Sequence, residues 1–236
     1  MARLAAAVIV EDARVPMPDG VRLATDVVRV DDGVRRPVLL VRSPYTRAGS
    51  RLGVDVVSYA RAGWVVVSQD TRGRGDSEGD GAPFVFEAAD GAATVQWCAR
   101  QPWSDGRVAM WGGSYLGLTQ WAAASRGPKP LRAIAPAAAP ADLLHDWHYE
   151  GGAFSAGLVT SWNATMAAGD PALPRRDRAL IAKLAEDPAP LLSHPHAEQP
   201  LARLYPPYRR LLDPRDRRFW NALDFASRAR RMDVAA

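Results

Sequence analysis

The sequence predicts an α/β fold: a mainly parallel sheet with an antiparallel hairpin at one edge, followed by a helical cap. Three observations support this fold class. Strand-like and helical stretches alternate through the first 141 residues, two alternating runs near the start form a hairpin, and no strand-like run occurs between Asp142 and Asp233. Such alternation is typical of parallel strands joined by crossover helices. We expect residues 1–141 to form the sheet domain and residues 142–236 to form the cap.

The early elements of the sheet domain have distinct patterns. A hairpin is predicted by "VPMPDGVRLATDVVRVDDG", in which two alternating runs meet around Asp19 and Gly20. The next strand is "RPVLLVRSPY", which ends in a Ser-Pro-Tyr turn, and a short helix follows and stops at Gly63. The run "WVVVSQD" is rich in β-branched residues, which indicates a strand that is buried on both faces.

The rest of the chain divides into a last βαβ stretch and the cap. The stretch contains a helix, "FEAADGAATVQWCARQPW", a buried strand, "RVAMW", a second helix, "YLGLTQWAAASRG", and a final strand, "LRAIAPAAA". The cap opens with an aromatic segment and continues in proline-punctuated helical pieces: "PRRDRALIAKLAED", "EQPLARLYPPYRRLL" and "PRDRRFWNALDFASRARRMD".

Composition excludes several classes of protein. The chain has 236 residues, 47% hydrophobic and 24% charged, which suits one core with an appended subdomain. Its arginines are spread along the chain without a basic stripe, which argues against nucleic-acid binding. The apolar run at the start is too short for an export signal, and nothing later is long enough to span a membrane, so we expect a cytoplasmic protein. The single cysteine, Cys98, is expected to be a buried, inert thiol.

A serine lies where a strand should turn into a helix, in "RVAMWGGSYLG". A nucleophile elbow places its serine on a strained turn between a strand and a helix, with small neighbours that let the backbone fold back. Gly112 and Gly113 precede Ser114, although the second glycine of the usual pattern comes one position late, at Gly117. The start of the helix after Ser114 would also offer backbone N–H groups to a developing oxyanion. The pattern therefore predicts that Ser114 is a catalytic nucleophile.

The loop "TRGRGDSEG" resembles a phosphate-binding loop, which would make nucleotide binding one possible function. The spacing of its glycines does not fit that motif, because Glu78 stands where the third glycine belongs. A phosphate-dependent thermal shift would test this interpretation.

Several segments together resemble one family. The segments "MPDGVRLATDVVRV", "PVLLVRSPYTR", "YARAGWVVVSQDTRGRGDSEG", "WGGSYLG" and "DWHYEGGAF" are similar, in this order, to those of the cocaine esterase, α-amino-acid ester hydrolase and X-Pro dipeptidyl-peptidase group of α/β hydrolases. The resemblance runs from about Val15 to the C-terminus. It implies the N-terminal portion of an α/β-hydrolase sheet with a helical cap, and a serine hydrolase that cleaves ester or amide bonds.

The resemblance also implies roles for individual residues. Ser114 would be the acylated nucleophile, and the backbone N–H of Tyr115 and the phenol of Tyr45 would form the oxyanion hole. Asp70 and Arg72, in the glycine-rich loop, would form structural ion pairs near the site. The cap determines the pocket in this family, and its candidate substrate contacts are Trp147, Tyr149, Phe154 and Trp162, whose alternative role is packing.

The acid and base of the triad have no candidate in the sequence. In this family both lie beyond the cap, on later strands of the sheet, followed by a β-rich domain. The four histidines, His145, His148, His194 and His196, all fall in the predicted cap. We therefore expect the chain to be truncated and the final strand "LRAIAPAAA" to present an unpaired apolar edge.

Three explanations of this expected truncation remain open. The sequence could be a fragment or frame-shifted copy of a longer hydrolase, a second polypeptide or second copy could complete it, or the domain could have a non-catalytic binding role. Besides the weaker possibility of nucleotide binding, the sequence thus leaves two functions: a serine hydrolase for a small-molecule ester or amide, and a catalytically inactive remnant or partner-completed module of the same fold. Neither function requires a cofactor, and no cluster of metal ligands is evident.

Overall fold

The structure is a computed structural model that describes residues 6–47, 55–187, 189, 195–232 and 234–235. These residues form two compact units. The sheet unit comprises Met1–Asp80, Val85–Ala139 and Arg228–Ala236, and the helical unit comprises Gly81–Phe84 and Pro140–Ser227. The units thus differ from the two continuous ranges predicted from the sequence, because Ala235 pairs with the last strand of the sheet unit.

The sheet unit contains a mixed six-stranded sheet. Its strands in chain order are β1 (Val8–Pro16), β2 (Arg22–Val30), β3 (Arg36–Ser43), β4 (Val65–Asp70), β5 (Ser104–Gly113) and β6 (Leu131–Ala137). They are arranged in the order β1-β2-β4-β3-β5-β6. Strands β4, β3, β5 and β6 are parallel, and β1 and β2 add an antiparallel hairpin at one edge. The predicted α/β class and hairpin edge are confirmed.

Three helices cover the two faces of this sheet: α1 (Val56–Arg61), α2 (Glu87–Ala99) and α3 (Tyr115–Ala124). Strand β4 is buried on both faces, as its β-branched run predicted. Val65 and Val67 pack with residues of α2 and α3, while Val66 packs with Ala60 of α1. Cys98 of α2 lies in the same core, where burial raises the pKa of its thiol, so it is inert as expected.

The helical unit is built mainly from short helices. Its elements are a π-helical turn (Leu144–His148), the two-residue strands β7 (Tyr149–Glu150) and β8 (Ala153–Phe154), α4 (Ala156–Ala168), α5 (Arg175–Glu186), a 3₁₀ turn (His196–Glu198), α6 (Pro200–Leu204), α7 (Pro206–Leu211) and α8 (Arg217–Leu223). A 3₁₀ helix over Ala226–Arg231 follows. None of the helices in the described part of the chain is long and apolar enough to cross a membrane.

Three features differ from the sequence-based predictions. The cap segment does contain strand pairing, because Gly151 and Gly152, both at positive φ, allow β7 to turn back into β8. The predicted helix "EQPLARLYPPYRRLL" is broken at Tyr205, because Pro206 begins a new helix there. The edge of β6 is also partly paired, since the N–H of Ile134 donates to the carbonyl of Ala235 at 2.8 Å.

His148 is a buried histidine of the helical unit. Its titration is expected to make the free energy of unfolding depend on pH. Its ring N–H donates to the carbonyl of Leu143, at 2.7 Å from Nδ1. Burial lowers the pKa of His148 from 6.5 to about 4. The His148 ring therefore takes up its proton at a higher pH in the unfolded chain than in the folded chain. Its contribution to the free energy of unfolding is fully present above pH 6.5 and is lost as the pH falls toward 4.

We expect acidification from about pH 8 to pH 5 to remove about 2 kcal/mol of unfolding free energy through this group. Urea unfolding of the wild type and of His148→Gln at both pH values measures the effect, because the variant lacks this titration and keeps every other one. An identical pH dependence in the two proteins would contradict the prediction.

Candidate active site

Ser114 lies at a strained turn between β5 and α3. Its backbone has φ 56° and ψ −128°, a region that non-glycine residues rarely adopt. The turn is held on both sides: the N–H of Ser114 donates to the carbonyl of Ala137 at 2.9 Å, and its own carbonyl accepts from the N–H groups of Gly117 and Leu118. Ser114 is exposed. The serine thus occupies a strand–turn–helix bend in an unfavourable backbone conformation, as a nucleophile elbow requires.

The glycines around Ser114 are explained by close packing in the turn. A Cβ on Gly112, which has φ 139°, would come within 2.5 Å of the Cβ of Leu116. A Cβ on Gly117 would lie 2.5 Å from the Cβ of Ala139 and 3.1 Å from the carbonyl oxygen of Gly112. The glycine at position 117 therefore has a steric reason, because a side chain there would collide with Ala139 and crowd the carbonyl of Gly112.

Gln120 ties the turn to two strands. Its side-chain amide donates to the carbonyls of Gly112 and Leu116, at 3.0 and 3.1 Å. Its side-chain oxygen accepts from the N–H of Ala135 in β6 at 2.8 Å. The side chain is fully buried, so these bonds replace solvent for three backbone groups next to Ser114.

Tyr45 lies at the same edge of the sheet as Ser114. Strands β3 and β5 are parallel neighbours with Leu40 opposite Met110, and each continues for three residues beyond that pair. Tyr45 is therefore two residues past the end of β3, and Ser114 is one residue past the end of β5. Carboxyl ends of parallel strands are where open α/β sheets place their ligands.

Two anchors fix the turn that carries Tyr45. On one side, the buried hydroxyl oxygen of Ser43 accepts from the N–H groups of Tyr45 and Thr46, at 3.1 and 3.3 Å. On the other, the Arg47 guanidinium binds three carboxylates within 2.9 Å, those of Asp26, Asp70 and Asp76. Burial alone would lower the pKa of Arg47, but these hydrogen bonds outweigh it and raise the pKa. Tyr45, which is 37% exposed, thus lies on a fixed turn.

The glycine-rich loop has a structural role. Asp70 pairs with Arg47, and its carboxylate also accepts from the N–H of Asp76 at 3.1 Å. A Cβ on Gly75 would come within 2.2 Å of this carboxylate, so the loop needs glycine there. Arg72 pairs with Asp90 at 2.8 Å and with Asp19 at 2.7 Å. Asp70 and Arg72 are thus both in ion pairs, though not with each other.

The described histidines all belong to the helical unit and have local partners. His145 bonds to Asp142, with 2.7 Å between Nδ1 and the carboxylate. His148 is buried, as described above, and His196 lies edge-on to Phe154 and 2.9 Å from the Gln199 amide nitrogen. His194 lies outside the described residues. None of the four histidines falls within the stretches of the sheet unit, so Ser114 and a histidine are not brought together within it.

The predicted pocket aromatics take part in packing within the helical unit. The rings of Tyr149 and Phe154 face each other across the β7–β8 hairpin with 5.3 Å between centroids. Trp162 stacks on Phe84 at 5.4 Å, and Trp147 is half-buried in the π-helical turn. The phenol of Tyr149 donates to the carbonyl of Leu211 at 3.1 Å, and burial raises its pKa to about 12. A role of these four residues in binding substrate stays a prediction.

Comparison with known proteins assigns the chain to a family. The sequence profile of the X-Pro dipeptidyl-peptidase (S15) family matches residues 19–236. The chain belongs to this family. The S15 chain is also 42% identical over 212 residues to the cocaine esterase of Rhodococcus sp. (strain MB1 Bresler), a match that covers 84% of this chain and 37% of that enzyme. It is 29% identical over 171 residues to a putative serine esterase of Mycobacterium bovis, covering 63% of this chain and 27% of the relative.

A solved structure gives the same assignment. A CocE/NonD family hydrolase of Staphylococcus aureus superposes with a TM-score of 0.64 at 26% identity, over 77% of this chain and 36% of that one. The S15 chain therefore has the fold of the N-terminal portion of these α/β hydrolases, and its family is one of hydrolases. It spans 37% of the length of the Rhodococcus cocaine esterase and 36% of the length of the Staphylococcus hydrolase.

Several side chains that hold this site were not predicted from the sequence. Gln120 gave no signal, because a glutamine inside a helix pattern looks like a surface residue. Arg42 could have been found, since an arginine at the end of the apolar run "PVLLV" is rarely buried without a partner, but nothing around Arg47 gives such a signal. Their partners are distant in sequence, at Glu87 for Arg42, so only the fold brings them together.

Proposed function

We propose that this protein is a serine hydrolase that cleaves esters or amides through an acyl-enzyme on Ser114. The Oγ of Ser114 attacks the carbonyl carbon of the substrate, the tetrahedral adduct collapses, and the leaving group departs with a proton. Water then attacks the acyl carbon, the bond from that carbon to Oγ breaks, a proton from the water returns to Oγ, and the carboxylic acid leaves. The observation that carries the proposal is the strained backbone of Ser114 at an exposed bend between β5 and α3.

The oxyanion of the adduct would be held by two neutral donors. The backbone N–H of Tyr115 starts α3, where the helix dipole favours negative charge. The phenol of Tyr45 would be the second donor, carried by the anchored turn at the end of the neighbouring strand. A pair of preorganised donors of this kind stabilises charge that develops only in the transition state. The similarity to the Rhodococcus cocaine esterase and the Mycobacterium bovis serine esterase supports an ester as substrate.

A second candidate is a catalytically inactive or partner-completed module of the same fold. The observation that favours it is that the three stretches of the sheet unit contain no histidine that could act as general base for Ser114. A serine without its base is a weak nucleophile, and loss of a triad member typically lowers turnover by about 10⁴-fold to 10⁶-fold.

Labelling with a fluorophosphonate probe separates the two candidates. The purified chain is treated with the probe in the absence and in the presence of imidazole, which can act as an external base. We expect one adduct per chain by intact mass, located at residue 114 by peptide mapping and faster with imidazole. Ser114→Ala should give no adduct, while Ser125→Ala, at the other end of α3, should label like the wild type.

Two results would contradict the proposal. An adduct that persists in Ser114→Ala would place the nucleophile elsewhere. No adduct under either condition, from a chain with a folded circular-dichroism spectrum, would support the inactive module.

A further inference from the structure

Behind the Ser114 turn lies a buried polar cluster that the proposed mechanism does not use. The phenol of Tyr115 donates to the carboxylate of Glu87 at 2.9 Å, and the guanidinium of Arg42 donates to the other oxygen of that carboxylate at 2.6 Å. The Nε of Arg42 donates to the side-chain oxygen of Gln69 at 2.8 Å. We name Arg42, Glu87 and the Tyr115 phenol the buried triad.

Close packing of α2 on α3 places this triad. A Cβ on Gly91 would lie 2.8 Å from the Cβ of Ala123 and 3.3 Å from Nη1 of Arg42. Glycine at this position thus lets the two helices approach and leaves room for the guanidinium. Glu87 is one helical turn before Gly91, and its carboxylate accepts from the phenol of Tyr115, the first residue of α3.

Stability alone is a poor explanation of the buried triad. The Arg42 side chain is fully buried and the Glu87 side chain is 6% exposed, so both charges have lost nearly all their water. Nη2 of Arg42 has no hydrogen-bond partner among the described residues, which adds a further cost. Buried ion pairs of this kind are often no more stabilising than apolar side chains of the same size. What the pair does supply is a fixed acceptor for one phenol.

We infer that Glu87, oriented by Arg42, is a positioning residue that fixes Tyr115 and thereby aims its backbone N–H at the oxyanion. This inference rests on the proposed function of the Ser114 turn. The phenol of Tyr115 is held at one end by Glu87, and its backbone follows directly on the strained residue Ser114. A side chain fixed in this way limits rotation of the peptide that joins residues 114 and 115, and a donor misplaced by about 1 Å costs about 100-fold in rate.

The test compares Tyr115→Phe with Tyr208→Phe. Tyr208 is a buried tyrosine of the helical unit. Its phenol bonds to Thr160 at 2.8 Å and donates to Gln199 at 3.2 Å, so Tyr208→Phe removes buried phenol hydrogen bonds far along the chain from the turn. Two quantities are measured: imidazole-supported ester hydrolysis that depends on Ser114, and amide hydrogen exchange of the peptide that spans residues 111–120.

We expect Tyr115→Phe to lower kcat by about 10-fold to 100-fold, with KM changed by less than about twofold, because the donor acts in the transition state. Exchange at residues 114–118 should become several times faster. Both variants should lower the melting temperature by a few degrees. Tyr208→Phe should leave both kcat and the exchange at residues 114–118 unchanged.

The double variant Arg42→Met with Glu87→Leu tests the acceptor itself. It removes the acceptor of the Tyr115 phenol and the side chain that orients it without leaving a buried charge, so we expect kcat to fall and exchange to speed up as in Tyr115→Phe. Equal effects of Tyr115→Phe and Tyr208→Phe on either quantity would overturn the inference. If the wild type shows no Ser114-dependent turnover, the proposed function fails. Hydrogen exchange alone then decides whether the buried triad fixes the Ser114 turn.

Discussion

Tyr45→Phe is expected to lower kcat for Ser114-dependent ester hydrolysis by about 10²-fold to 10³-fold, with little change in KM. The variant removes only the phenolic hydroxyl, the second proposed oxyanion donor. Its ring remains, as do the backbone hydrogen bonds that the turn donates to Ser43 and the ion pairs of Arg47. The hydroxyl would bind the oxyanion more strongly than the substrate carbonyl, so its loss acts on the transition state. Hydrolysis of a p-nitrophenyl ester, with imidazole present and the Ser114→Ala rate subtracted, measures the effect.

The control for this prediction is Tyr59→Phe. Tyr59 lies in α1 and is 37% exposed, the same fraction as Tyr45. Removal of its hydroxyl should leave kcat within about twofold of the wild type. A Tyr45→Phe variant that also stays within twofold would mean that the phenol is not an oxyanion donor, while Ser114 could still be the nucleophile.

Arg42→Met is expected to lower the free energy of unfolding by about 3–5 kcal/mol. The reason is that Glu87 would keep a buried carboxylate without its cation, 2.6 Å from where the guanidinium was. The double variant Arg42→Met with Glu87→Leu removes both charges, so most of the lost stability should return. Urea unfolding of both variants, followed by circular dichroism, measures the two values.

Arg107→Met supplies the matched surface case. Arg107 pairs with Asp105 at 2.6 Å, but its side chain is 64% exposed. Loss of such a pair should cost less than about 1 kcal/mol, because water screens both charges. An Arg42→Met variant as stable as Arg107→Met would contradict the view that the buried charge of Glu87 depends on Arg42.

The sequence predicted the fold of this protein in unusual detail. Periodicity located the hairpin, the parallel strands and the helices of the sheet unit, because each buried element must repeat its apolar residues at the spacing of its own backbone. It also placed Ser114 between β5 and α3, since only a few residue combinations permit so sharp a bend. Short pairings such as Tyr149 with Phe154 were missed, because two-residue strands leave no periodic pattern.

The chemistry of the candidate site was predicted only in part. Ser114 was found from its neighbours in sequence, and Tyr45 and Tyr115 came from the family resemblance; their roles stay predictions. The supports of the site were not found: Gln120 reaches β6, Arg47 binds three aspartates, and Glu87 meets Tyr115. Each of these contacts joins residues that are 15 to 29 positions apart in the sequence, from Gln120 and Ala135 at 15 to Arg47 and Asp76 at 29.

The amino-acid sequence by itself therefore determined which segments are strands and helices and where the sharp turn occurs, because these depend on residues within one turn or one strand of each other. Only the tertiary structure decided which side chains hold that turn, how the buried charge of Glu87 is compensated, and why glycine is needed at Gly117. The physical reason is that hydrogen bonds, ion pairs and steric contacts depend on distance in space, and the crossover connections of a parallel sheet bring together residues that no local pattern relates.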